Sequence, residues 1–161
     1  MNDDRRNIFT IGHGDHDFAS VAALLRGNGV GVIADVRSVP YSRHAPEFTK
    51  DELTRRTAEF NLAYRWLGDR LGGRSDDPAL LRNGEPDWER IAASDRFAAG
   101  MTELEGLAAS STIALLCSEL DPTHCHRATL IAPALESRGY EVHHILDNGD
   151  TIRHQPTLDL D

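Results

Sequence analysis

The sequence predicts an α/β domain built on a mainly parallel sheet, and three observations predict it. Short apolar runs suited to buried strands recur at 7–11, 31–36, 62–67, 112–117 and 140–146. Amphipathic or capped segments suited to helices lie between them. With 161 residues the chain accommodates one such domain and is short for two.

The elements follow in order. Asn7 to Ile11 is a first strand that ends in Gly12-His13-Gly14. Asp17 to Asn28 is a helix with Phe18, Val21, Ala22, Leu24 and Leu25 on one face, Asp15 or Asp17 as cap, and Gly27 or Gly29 as terminator. Gly31 to Val36 is a second strand. The segment RSVPYSRHAPEFT, with two prolines and no periodicity, is a loop. Thr49 to Asn61 is a helix opened by a Thr49/Glu52 capping box. Leu62 to Leu67 is a third strand, and Gly68 to Asp87 a long loop of the kind that is often functional. Trp88 to Ala109 is helical in two pieces around Ser94-Asp95. Thr112 to Cys117 is the fourth strand. A helix then starts at Pro122, capped by Asp121, and runs to Arg138 with a kink or interruption at Pro133. Tyr140 to Leu146 is the fifth strand, on which His143 and His144 face opposite ways.

This rhythm implies right-handed crossovers and helices on both faces, a Rossmann-like three-layer sandwich of five strands in the order 3-2-1-4-5. Residues 1–150 form the domain and 151–161 a polar tail. The ends of the first, second and fourth strands then meet at the carboxyl edge of the sheet, where such folds bind ligands.

Composition narrows the classes. No apolar run approaches the roughly 18 residues of a membrane span, and the start of the chain has no signal-peptide core, so a cytoplasmic protein is expected. Two cysteines do not make a disulfide framework, and a reducing compartment keeps them as thiols. Net charge is −9, which argues against coating by nucleic acid. Between Arg37 and Arg74 eight basic residues face five acidic ones, a local +3 that leaves −12 elsewhere and fits a confined anion site.

The richest stretch is LLCSELDPTHCHR, Leu115 to Arg127, at a strand-to-helix junction. Cys117, Ser118 and Glu119 end the strand. His124, Cys125, His126 and Arg127 fall in the first helical turns. Near a helix N-terminus, Cys125 is a candidate thiolate nucleophile, with His124 or His126 as base and Glu119 as orienting group or acid. Cys117 reads equally as a small core residue. The two cysteines and these histidines, with His13, also offer metal-ligand types. Their spacing matches no zinc finger, and adjacent helical side chains rarely point at one ion, so no metal ligand is assigned. His13, between Gly12 and Gly14, is a candidate acid, base or hydrogen-bonded turn residue, and the spacing is not a dinucleotide fingerprint. Asp35 is placed to orient Arg37. Arg37 and Arg43, with Ser38 and Tyr41 in the same loop, are candidates for gripping a phosphate or carboxylate, as are Arg74 of the glycine-rich loop and Arg127. A structural Asp35–Arg37 pair explains part of the pattern equally well.

The motifs TIGHG, DVRSVPYSR, LGDRLGGR and C-S-E-x5-C-H-R, followed by a helix and a Gly-Tyr-Glu-Val-x-His-Ile strand, resemble a bacterial and archaeal family catalogued as domain of unknown function 488. The resemblance runs from Ile8 to Gly149 and implies a Rossmann-like α/β fold, without an assigned activity or cofactor.

Three functions compete. The first is an enzyme acting on a small anionic ligand, with Arg37, Arg43, Arg74 and Arg127 holding the anion, Glu119, His13 and His126 moving protons, and Cys117 or Cys125 attacking. The second is a nucleic-acid processing or binding module using the basic segment with Tyr41, Phe48, Tyr64 and Trp66 interleaved. The third is a metal-dependent hydrolase. No membrane partner is expected.

Overall fold

The computed structural model describes residues 6–155. Six strands form one sheet: β1 (Asn7–Gly12), β2 (Val32–Asp35), β3 (Ala63–Trp66), β6 (Ile113–Cys117), β7 (Glu141–Ile145) and β8 (Thr151–Arg153). All neighbours pair in parallel except β8, which runs antiparallel to β7. Helices α1 (Phe18–Gly27) and α2 (Lys50–Arg56) cover one face. The other face carries α4 (Trp88–Ala92), α5 (Asp95–Ala108) and α6 (Ala132–Ser137), with the short α3 (Gly68–Leu71) packed on α5. The three-layer, Rossmann-like reading therefore holds.

The strand order does not. It is β3-β2-β6-β1-β7-β8, so β6 separates β1 from β2. Burial explains the placement. Every residue of β6 (IALLC) is apolar and buried, whereas β1 carries Asn7 and a half-buried Phe9. Between β2 and β1, with helices above and below, β6 occupies an interior position that suits a strand with two apolar faces. Its alternation divides the core. Ile113 and Leu115 pack with Phe97, Met101 and Leu104 of α5. Ala114 and Leu116 pack with Phe18, Val21 and Leu25 of α1.

Other differences are local. The helix expected to Asn61 stops at Arg56, continues as a 3₁₀ turn (Thr57–Phe60) and closes on Asn61 in the left-handed region, at φ 59°. Thr49 does cap α2 by accepting from the Glu52 N–H, but the Glu52 carboxylate pairs with Arg55 and Arg56 instead of completing a capping box. The expected loop 68–87 contains α3, a 3₁₀ turn and the hairpin β4 (Leu81–Arg82)–β5 (Glu85–Pro86). Asn83 and Gly84 both have positive φ at its tip, the requirement of the tightest hairpin turn. The expected polar tail opens with β8, and its remainder beyond 155 lies outside the described residues. Among the described residues no helix is long and apolar enough to cross a membrane.

After Pro122 the chain does not form one kinked helix. A 3₁₀ turn (Pro122–His124), capped by Asp121, leaves Cys125 extended at φ −138°, ψ 147°. The backbone then passes through a π-helical turn (Arg127–Ile131), in which Ala132 N–H reaches the Arg127 carbonyl, before α6. Pro133 supplies no N–H to the Thr129 carbonyl and its ring crowds it, which favours the wider turn there.

A polar chain is buried under β1 and β7. The Thr10 hydroxyl meets His144 Nδ1 at 2.7 Å, and His144 Nε2 meets His154 Nδ1 at 3.1 Å. Burial lowers the His144 pKa to about 4, helped by the charge of Arg127 and by His154 and His143. A folded pKa below the unfolded one means that the unfolded chain takes the proton first. Stability is therefore present above pH 6.5 and drains as pH falls towards 4, on the order of 3 kcal/mol for this group. The urea midpoint should drop between pH 7 and pH 5, and His144→Leu should flatten that drop.

Candidate functional site

Parallel pairing of β1, β6 and β2 brings three strand ends to one edge. His13 N–H donates to the Cys117 carbonyl (2.9 Å), Gly14 N–H to Ser118 (3.0 Å) and Val36 N–H to Leu116 (3.1 Å). Gly12 is required by contact, because the Glu119 carbonyl lies where a β-carbon would stand.

The end of β2 holds a buried ion pair. Asp35 is fully buried and Arg37 nearly so. Arg37 Nε donates to Asp35 Oδ1 (2.8 Å), and Nη2 donates to Oδ2 (2.7 Å) and to the Phe48 carbonyl (2.6 Å). The Tyr64 hydroxyl donates to Oδ2 (2.6 Å), and burial beside that carboxylate raises the Tyr64 pKa. Trp66 Nε1–H donates to the Arg37 carbonyl at 2.9 Å. His13 stacks on Phe48 with ring centroids 4.6 Å apart. Its Nδ1–H donates to the Gly14 carbonyl (3.1 Å), and Nε2 lies 3.5 Å from Arg37 Nη1. Burial lowers the His13 pKa, so the ring is neutral near pH 7.

The second cluster is at the end of β6. Cys117 and Cys125 are joined as a disulfide, with Cα atoms 7.5 Å apart, which corrects the expectation of two thiols. The turn from Ser118 to His124 folds back and sets the extended Cys125 against the strand end. His126 Nε2 lies 2.9 Å from the Val36 carbonyl. A carbonyl only accepts, so Nε2 carries the proton and Nδ1 keeps its lone pair. That Nδ1 lies 3.8 Å from Cys125 Sγ. Ligand atoms of Cys117, Cys125 and His126 all fall within 4.8 Å of one another, the arrangement of a metal-ligating group. Burial lowers the His126 pKa, with Arg127 adding to the effect.

Arg127 is fully buried. Nη2 donates to the Leu120 carbonyl at 3.0 Å, while Nε and Nη1 are buried with no hydrogen-bond partner among the described residues. Burial lowers its pKa to about 10 against the opposing pull of Asp121 and Glu119. The guanidinium is therefore a buried cation with two spare donors.

The chain matches the family model described as domain of unknown function DUF488 over residues 17–133. It belongs to that family. No curated protein and no solved structure matches the chain. Membership places the β2 end and the cysteine–histidine stretch inside the shared region and leaves the chemistry to these side chains.

Gly12, His13, Gly14, Asp35, Arg37, Cys117, Cys125, His126 and Arg127 gather at or beside this edge. Ser38 is half-buried and accepts from the Arg74 N–H at 2.9 Å, and the adjacent Gly73 lies against the His126 ring. Glu119, Tyr41, Arg43 and the remainder of Arg74 are exposed, Tyr41 by 67%. The side chain of His124 lies outside the described residues. Phe48, Tyr64, Trp66 and Leu120 support the site and were legible only as aromatic or apolar residues near it. A small polar cleft of about 130 Å³ opens beside Gly14, His16, His44 and Phe48. A wider groove of about 850 Å³, against Thr129, Pro133, Glu136 and His154, contains none of the cysteine–histidine cluster.

Removing the Asp35 carboxylate leaves the Arg37 charge buried without its partner. Asp35→Ala should cost about 3–5 kcal/mol in chemical denaturation, whereas the paired change Asp35→Leu with Arg37→Met should cost much less.

Proposed function

We propose that this chain is an enzyme acting on a small anionic substrate, bearing phosphate or carboxylate, at the carboxyl edge of its sheet. Arg127 is the anion-binding group, and Cys117, Cys125 and His126 form the reacting cluster. Glu119, exposed on the same turn, is the proton donor in this reading. His13 and Arg37, tied to one another and to backbone, position the edge.

One observation carries the proposal: Arg127 holds two buried donors with no hydrogen-bond partner among the described residues. An unmet buried charge is costly, and a substrate anion bound to Nε and Nη1 removes that cost. The Ser118–Asp121 turn, exposed except at Leu120, carries the carbonyl that holds this guanidinium. An anion enters by displacing that turn.

The basic segment favours a confined ligand over a nucleic-acid strand. Arg37 pairs with Asp35, Arg55 and Arg56 with Glu52, Arg56 also with Glu47, and Arg70 with Glu103. Lys50 sits over the Trp66 ring at 4.5 Å. Phe48 is buried, and the Tyr64 and Trp66 polar atoms are already bonded. Tyr41, Arg43, Arg65 and Arg74 stay exposed, a small set beside the groups already paired.

Arg127→Met keeps the length of the side chain and removes the charge. Without added anion it should unfold at an equal or higher urea concentration, by up to about 2 kcal/mol, because a buried charge with two unbonded donors is gone. Phosphate or carboxylate metabolites should raise the thermal midpoint of the natural protein and leave that of Arg127→Met unmoved. Equal stabilisation of both proteins, or of neither, contradicts the proposal.

A further inference from the structure

We infer that the reduced protein holds one zinc-class divalent ion on Cys117 Sγ, Cys125 Sγ and His126 Nδ1. The inference deepens the functional reading only in what fills the fourth position. Binding of the ion stands on its own geometry.

Three features point to this site. The donor atoms lie within 4.8 Å of one another, and Nδ1 is 3.8 Å from Cys125 Sγ. Two donors on a tetrahedral zinc ion, with bonds of about 2.0–2.3 Å, stand about 3.3–3.8 Å apart. The Cα atoms of the two cysteines are 7.5 Å apart. Disulfides usually span about 4.4–6.8 Å, so this backbone spacing suits two thiolates around an ion better than a direct bond. Finally, His126 is already oriented as a ligand. Its Nε2–H is held by the Val36 carbonyl, the outer contact that metal-bound histidines commonly make, and this fixes the tautomer that offers Nδ1.

Cys125 has extended backbone, and its Sγ and the Nδ1 of its neighbour His126 come within 3.8 Å. Three protein ligands leave one position for water or a substrate oxygen, as in open zinc centres. A dithiol reductant first cleaves the Cys117–Cys125 bond, giving two thiols as the reductant becomes a disulfide. The ion then takes both sulfurs as thiolates, releasing two protons to solvent, together with the imidazole lone pair.

The test uses untagged protein, reduced with a dithiol, freed of reductant under nitrogen and titrated with Co²⁺ and then Zn²⁺. Expected are one ion per chain, a thiolate-to-cobalt charge-transfer band with tetrahedral visible bands, and loss of both on adding zinc. The same protein left oxidised should show none of these, a control that needs no variant to fold. Cys117→Ser and Cys125→Ser should lose the charge-transfer band or weaken it by half, and His126→Asn should weaken binding by at least about tenfold. No tetrahedral cobalt spectrum from the reduced protein, or one unchanged by oxidation and by His126→Asn, overturns the inference. Anion stabilisation through Arg127 is read separately, so failure of either reading leaves the other measurable.

Discussion

At the end of β2 a carboxylate and a guanidinium lie together with almost no access to water. Asp35 accepts two bonds from the Arg37 side chain, one from the Arg37 backbone N–H and one from Tyr64. Arg37 reaches on to the Phe48 carbonyl and towards His13, while Trp66 holds its own carbonyl. The pair thus ties β1, β2, β3 and the Phe48 turn into one rigid edge. Val36, between the two charged residues, presents the carbonyl that orients His126. The geometry of the cysteine–histidine cluster rests on that carbonyl staying where the ion pair puts it.

The two buried arginines have opposite meanings. Arg37 has a carboxylate at 2.7 Å and a carbonyl at 2.6 Å, so its charge is satisfied inside the protein. Arg127 has one carbonyl and, among the described residues, two donors without hydrogen-bond partners. Sequence alone ranks Arg37 and Arg127 together as anion groups, because both lie among polar residues near strand ends. Only packing separates the arginine that builds the edge from the one left with capacity to bind.

Local chemistry made much of the fold readable. Asp17 and Thr49 cap the helices expected of them, the 88–109 helix breaks at Ser94 as expected, and the apolar runs became the parallel strands. Strand order was not readable, since it depends on which apolar strand best fills the centre once all are present. Strand β8 was hidden because all three of its residues are exposed and give no periodic pattern. The Asn83-Gly84 turn, by contrast, was a signal in plain view within a segment taken as loop. At the site the residue types were legible and their directions were not. The helix expected from Pro122 is instead a 3₁₀ turn followed by an extended Cys125, and the Cys125 and His126 side chains lie 3.8 Å apart.

The most direct test of the account is a crystal structure of the reduced protein grown with phosphate. The account predicts phosphate oxygens within about 3 Å of Arg127 Nε and Nη1. If those two nitrogens are instead satisfied by protein or water, and phosphate binds only elsewhere, the central claim fails.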